Sequence, residues 1–233
     1  MNSIRGTYQL VFDELKWYFK IFSLITLLLS VVYVFVSIIF KIPLQSGAAL
    51  FGPIYGGIST FAVAGLVIPF QVAIGLGSTR RQFLKSYNVM SVLMVITSIT
   101  YLNIIYYIMK ILLDKGINSF HFYHPAELVS SEYHFFTYYW VDLMVGFIIL
   151  GLSSFIAVLV RRLGILYFLL TLVLVSILMT FLSINGISSD FYSLIFNIKP
   201  INLFTLIGLV GIVLQLLTIP MMINAPLKMK GRN

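Results

Sequence analysis

Charge is what this sequence has least of. Only 9% of its 233 residues are Asp, Glu, Lys or Arg, against 60% apolar. A soluble domain carries about a quarter charged residues, so a water-facing globule is excluded. Disorder is excluded by the same balance, because it requires low hydrophobicity. The net charge is +8, but its carriers are too few to make a nucleic-acid-binding stripe. Cysteine is absent, so there is no disulfide framework. No GxxxxGK[ST] loop is present to cradle phosphates, and no HExxH motif to hold zinc. A small-residue cleavage site is missing after the first apolar run, so no cleavable signal peptide is legible.

What is present is long apolar runs. A helix needs about 20 apolar residues to cross the hydrocarbon core. Stretches nearly free of charge give six spans, at 21–40, 48–74, 86–112, 139–160, 163–182 and 203–223, with Lys110 and Asp142 near the outer ends of the third and fourth. A transmembrane barrel would show alternating segments of about ten residues instead. The expected fold class is therefore all-α, a polytopic single membrane domain over 1–233. Lys and Arg mark the cytoplasmic side. With the N-terminus inside, eleven of them fall inside and four outside, while five of the seven acids fall outside. The expectation is N-in and C-in.

Residues 1–20 carry Ile4, Tyr8, Val11, Leu15 and Tyr18 at helical spacing, with Arg5, Gln9, Asp13, Lys16 and Lys20 opposite. That pattern predicts an amphipathic elbow helix lying in the membrane interface, Trp17 at headgroup depth. Between spans 2 and 3 the chain reads Gly75-Leu76-Gly77-Ser78-Thr79-Arg80-Arg81-Gln82-Phe83-Leu84-Lys85. Gly75 and Gly77 can end a helix. Thr79 and Gln82 have capping-box spacing. A separate short helix is expected over 78–86, with Arg80, Arg81 and Lys85 on its polar side and Phe83 and Leu84 apolar. Positive-inside charge alone accounts for the basic residues; the glycine-flanked, capped layout adds the reading of a docking element.

Gly77-Ser78-Thr79-Arg80-Arg81-Gln82-Phe83, after the second of six spans, resembles the coupling-helix motif of short bacterial type-2 ATP-binding-cassette (ABC) permeases. The layout resembles that family along the whole chain, nearest to the membrane subunits of Gram-positive peptide and toxin exporters. The motif itself covers about seven residues. The resemblance implies that Ser78, Thr79, Arg80, Arg81, Gln82, Phe83 and Lys85 couple to a cytoplasmic ABC ATPase. Arg80 and Arg81 would meet acceptors there, and Phe83 would fill an apolar pocket. ATP and Mg would bind on that partner, with no cofactor on this chain. A second permease subunit, as homodimer or heterodimer, is also implied, as is a bacterial plasma membrane location.

Other features admit two uses each. Gly52-Pro53-Ile54-Tyr55-Gly56-Gly57 contains a GxxxG pair that serves close helix packing, a dimer seam or a gate. Pro53 and Pro69 can kink span 2. Gln71, Asn103 and Gln215 either hydrogen-bond between helices or line a translocation path. His121, His124 and His134 share the loop after span 3 with Glu127, Glu132 and many aromatic residues. The composition is that of an interfacial aromatic belt with a short helix starting at Pro125, rather than a metal site. Residues 183–202 are too apolar for a free loop and suggest a re-entrant segment by the same resemblance. The functional expectation is the permease of an ATP-driven exporter working by alternating access on a hydrophobic or amphipathic cargo, a peptide toxin or antimicrobial peptide first. The alternatives are a substrate-binding component of a vitamin uptake system or an intramembrane enzyme. Against the enzyme, Gly57-Ile58-Ser59 has a Gly-x-Ser but no span holds a histidine to act as its base.

Overall fold

A computed structural model describes residues 3–40, 46–130, 132–184 and 198–226. Among these, six helices are long and apolar enough to cross a membrane. They are α1 (Ser3–Phe40), α2 (Gly52–Gly75), α3 (Arg80–Asp114), α4 (Phe135–Leu163), α5 (Ile165–Ile184) and α6 (Pro200–Ile223). Two short strands, β1 (Ser46–Ala48) and β2 (Phe120–Phe122), pair in parallel with Ser46 opposite Phe120. With a 3-10 turn at Pro125–Leu128 they cover one end of the bundle. That end is called here the aromatic end. The opposite end, with Arg80, Arg81, Lys85, Arg161 and Arg162, is the basic end. The all-α, six-helix expectation is met. Most of 183–202 lies outside the described residues.

Two expected breaks are absent. The elbow over 1–20 and the first span form the one unbroken helix α1. No glycine or proline occurs between Gly6 and Phe40 to interrupt it. At 1.5 Å per residue its 38 residues reach about 57 Å, well beyond the hydrocarbon core. The stripe read as membrane-facing turns onto protein instead. Val11 and Leu15 are buried against Phe61, Leu66, Phe70 and Phe83. Likewise, the short helix expected at 78–86 is the opening of α3, which runs on to Asp114. No glycine or proline lies between Ser78 and Lys115, so nothing stops a helix once Thr79 has started it.

Span 2 starts later than expected, at Gly52 rather than residue 48, because Ser46–Ala48 are taken by β1. Pro53 lies in its first turn, where a missing N–H costs nothing. Only Pro69 is interior to α2. The GxxxG pair is not the close crossing. A Cβ on Gly52 would meet nothing within 4 Å, and one on Gly56 only the Phe22 ring at 3.8 Å. Gly57 is the tight position, where an added Cβ would lie 2.8 Å from Phe22 Cγ.

The closest helix pair is α4 with α6, and glycine makes it. A Cβ on Gly151 would fall on the Gly211 carbonyl; one on Gly208 would strike Met144. The backbones therefore touch directly, as packing in lipid favours. α5 differs from the rest. Gly164, with φ 85°, turns the chain straight out of α4, and α5 buries no residue. It meets chiefly α4.

Gly151→Ala is expected to lower stability by about 1–3 kcal/mol, the usual range for overpacking. Gly75→Ala, with open space around it, is expected to be neutral. Thermal melting of the two variants in detergent measures the difference; equal melting would refute the backbone contact.

Candidate functional site

The chemistry of the described residues concentrates at the two ends of the bundle. The basic end is built on the turn between α2 and α3. Gly77 adopts φ 85° and donates its N–H to Ile74 O at 3.0 Å, while Ser78 N donates to Ala73 O at 2.9 Å. This pair of bonds closes α2 as a Schellman motif, which needs the left-handed residue that glycine supplies. Thr79 then opens α3. Its Oγ1 accepts from Gln82 N at 3.2 Å, and Gln82 Oε1 accepts from Thr79 N at 3.1 Å. The capping box read from the sequence is formed.

The turn is tied to its neighbours. Thr7 Oγ1 on α1 donates to Ser78 Oγ at 2.9 Å. Arg80 Nη1 donates to Ile223 O at 2.6 Å and Ala225 O at 2.7 Å. It thereby covers the last carbonyls of α6, which have no intrahelical partner. Arg161, 1% exposed, donates from Nη1 to Leu66 O at 2.8 Å and from Nε to Pro226 O at 3.0 Å. Leu66 lies three residues before Pro69, whose missing N–H leaves the neighbouring Gly65 carbonyl without its helical donor. Phe70 stands between the arginines, its ring centroid 4.6 Å from Arg161 Cζ and 6.0 Å from Arg80 Cζ.

This arrangement divides the expected coupling residues. Phe83 is fully buried, edge-on to Phe70 and stacked on Tyr87, so it cannot enter a partner's pocket. Arg80 is occupied within the chain. Ser78 is buried, and Gln82 is half-buried and engaged in the cap. Thr79, Arg81 and Lys85 remain exposed, together with Leu76 at 77%. Leu76 and Arg161 are the residues of this end that the sequence pattern does not single out. The signal for Arg161 was its placement inside the last turn before Gly164.

The aromatic end is organised by Asp142. The sequence reading counted it as an outer-side charge, but it is fully buried in α4. Three donors surround it. Tyr55 OH donates to Oδ1 at 2.9 Å, and Asn103 Nδ2 donates to Oδ2 at 2.8 Å. His124 Nε2 lies 3.1 Å from Oδ2. Ala126 N donates to His124 Nδ1 at 2.9 Å. A ring nitrogen that accepts carries no proton, so the imidazole proton sits on Nε2 and points at Asp142. His124 is enclosed by Phe51, Tyr106 and Tyr138, with centroids 4.5–4.8 Å away. The short helix expected at Pro125 is the 3-10 turn Pro125–Leu128, capped by this histidine.

The three histidines do not converge. His121 pairs with Glu127 at 3.2 Å and His134 with Glu132 at 4.0 Å, each apart from the His124–Asp142 pair. Among the described residues no group of three metal-ligating side chains exists. Asn103 and Gln215 both serve helix contacts, Gln215 Nε2 donating to Asn88 Oδ1 on α3 at 3.1 Å. Gln71 is exposed on α2. Ser59 meets Ser153 on α4 at 2.8 Å, with no histidine at either hydroxyl among the described contacts. No nucleophile–base pair is formed there.

Asp142→Ala is expected to cost about 3 kcal/mol or more, since it strands three buried donors at about 1–3 kcal/mol each. Asp142→Asn, which keeps an acceptor oxygen, is expected to cost less. Melting curves in detergent order the two variants, and the reverse order would contradict the network. No protein-family model, curated protein or solved structure matches the chain, so the reading of its sites rests on this geometry.

Proposed function

We propose that the chain is the membrane-spanning subunit of an ATP-driven exporter of the ABC type, with its basic end in the cytoplasm. One observation carries the reading. The capped turn between α2 and α3 is joined to α1 through Thr7 and to α6 through Arg80. Arg161 on α4 holds the same terminal segment and α2. A push on the turn therefore reaches α1, α2, α3, α4 and α6 through hydrogen bonds rather than loose loops. The exposed part of the turn offers Leu76 beside two cations, Arg81 and Lys85, four residues apart on one helical face. An acidic, partly apolar cleft on a cytoplasmic ATPase is the complement of such a tip.

The rest of the reading follows from that partner. ATP and Mg would bind on the ATPase, since this chain has no phosphate-binding loop. α5, with no buried residue, is available to a second permease subunit. Bilayer lipid would cover the remaining apolar faces. Binding of ATP would close paired ATPases, and alternating access would follow as the turn moves α2 and α3. The cargo class is hydrophobic or amphipathic, a peptide toxin or antimicrobial peptide first. The cell membrane of a bacterium is the proposed location.

The test separates the exposed cations from Arg80, which is engaged within the chain. Arg81→Glu with Lys85→Glu is expected to abolish co-purification of a co-expressed cognate ABC ATPase, with melting unchanged. Arg80→Ala is expected to lower melting first, because it uncovers the α6 carbonyls. Full ATPase capture by the double variant would overturn the proposal.

A further inference from the structure

A cavity of about 420 Å³ lies at the aromatic end, away from the basic turn and sharing Tyr106 and Tyr138 with the surroundings of His124. Tyr106, Tyr133 and Tyr138 give it aromatic walls; Lys110, Asp114 and Glu127 give it charge. It holds two carboxylates to one ammonium, so an added cation is favoured. His121 sits at 3.2 Å from Glu127 on its rim. The cage already takes an ammonium group, for Lys110 Nζ rests 4.3 Å from the Tyr133 ring centroid. A second observation is independent of charge. The Tyr133 hydroxyl is shielded from solvent and has no hydrogen-bond partner among the described residues. A shielded hydroxyl without a partner is costly, and a turn of the Tyr133 ring toward the cavity would bring it within reach of a ligand's polar group.

Depth and continuity identify the ligand class. Tyr123, Leu128 and Phe136 around this end are 66–85% exposed, the pattern of aromatic and apolar groups at headgroup level. Met109 lines the cavity and also an apolar groove of about 400 Å³ between α1 and α3. Leu27, Val31, Phe35, Ile105 and Ile108 line that groove, whose apolar walls suit an acyl chain.

We propose that this cavity binds the headgroup of an ammonium-bearing phospholipid, with one of its acyl chains in the adjoining groove. The ammonium sits against Glu127 and the tyrosine faces, as cation–π geometry requires. The phosphate meets Lys110, and the Tyr133 hydroxyl gains its missing partner. The site stands apart from the exporter reading, since it uses no residue of the basic end.

The experiment is native mass spectrometry of the full chain taken from vesicles of equal phosphatidylethanolamine and phosphatidylglycerol. Phosphatidylethanolamine is expected to be retained about fivefold over phosphatidylglycerol, in keeping with one desolvated cation–π contact. Glu127→Gln, close in shape to the native residue, is expected to bring that ratio back to one. Tyr133→Leu is expected to do the same, while Tyr133→Phe keeps part of the preference. Equal retention by the unaltered chain would overturn the proposal. So would a preference that survives Glu127→Gln in protein melting at the native temperature.

Discussion

Arg161 is a full charge buried in a chain with hardly any charge. A guanidinium taken out of water without acceptors would cost several kcal/mol, so its surroundings are fixed by need. It finds the Leu66 carbonyl, beside the proline-loosened turn of α2, and the Pro226 carbonyl, beyond the end of α6. It also lies on the face of Phe70. Arg80 does the same work from α3 and shares that ring. Two arginines and one phenylalanine thus bring four helices to a common point. The packing of Val11, Leu15, Phe83 and Met222 in the surrounding apolar cluster is arranged around them.

Asp142 is the counterpart at the other end of the same helix. It stands nineteen residues before Arg161, about 28 Å along the axis and close to the thickness of a hydrocarbon core. Its carboxyl oxygens are met by partners from α2, α3 and the segment carrying His124. One buried group fixes the cap over the aromatic end; the other fixes α2 and the segment after α6 at the basic end. Between them the α4–α6 contact is made by glycine backbones, which leaves no room for side chains to slip.

This arrangement separates what holds the molecule together from what it can offer others. Residues that looked free by charge, Arg80 and Arg161, are internal. Those left outside are Leu76, Arg81 and Lys85 at one end, a charged aromatic cavity at the other, and α5 along the side. The exporter subunit proposed above would need such a division, because its partner would have to push on parts that are firmly joined to the spans.

The sequence alone determined the class, the six apolar helices, the Gly77 turn, the Thr79–Gln82 cap and the start of a helix at Pro125. Each is set by local chemistry: run length, a left-handed glycine, a hydroxyl three residues from a glutamine. It misjudged where α1 and α3 pause, although the lack of glycine and proline there was legible. Only the tertiary structure decided which way each face turns. The stripe of Val11 and Leu15 suits lipid or protein equally, and an arginine near a helix end suits water or a carbonyl. Gly52 and Gly56 have the spacing of a close crossing, yet Gly151, Gly208 and Gly211 make it. Periodicity tells which residues share a face; what that face meets depends on helices distant in sequence.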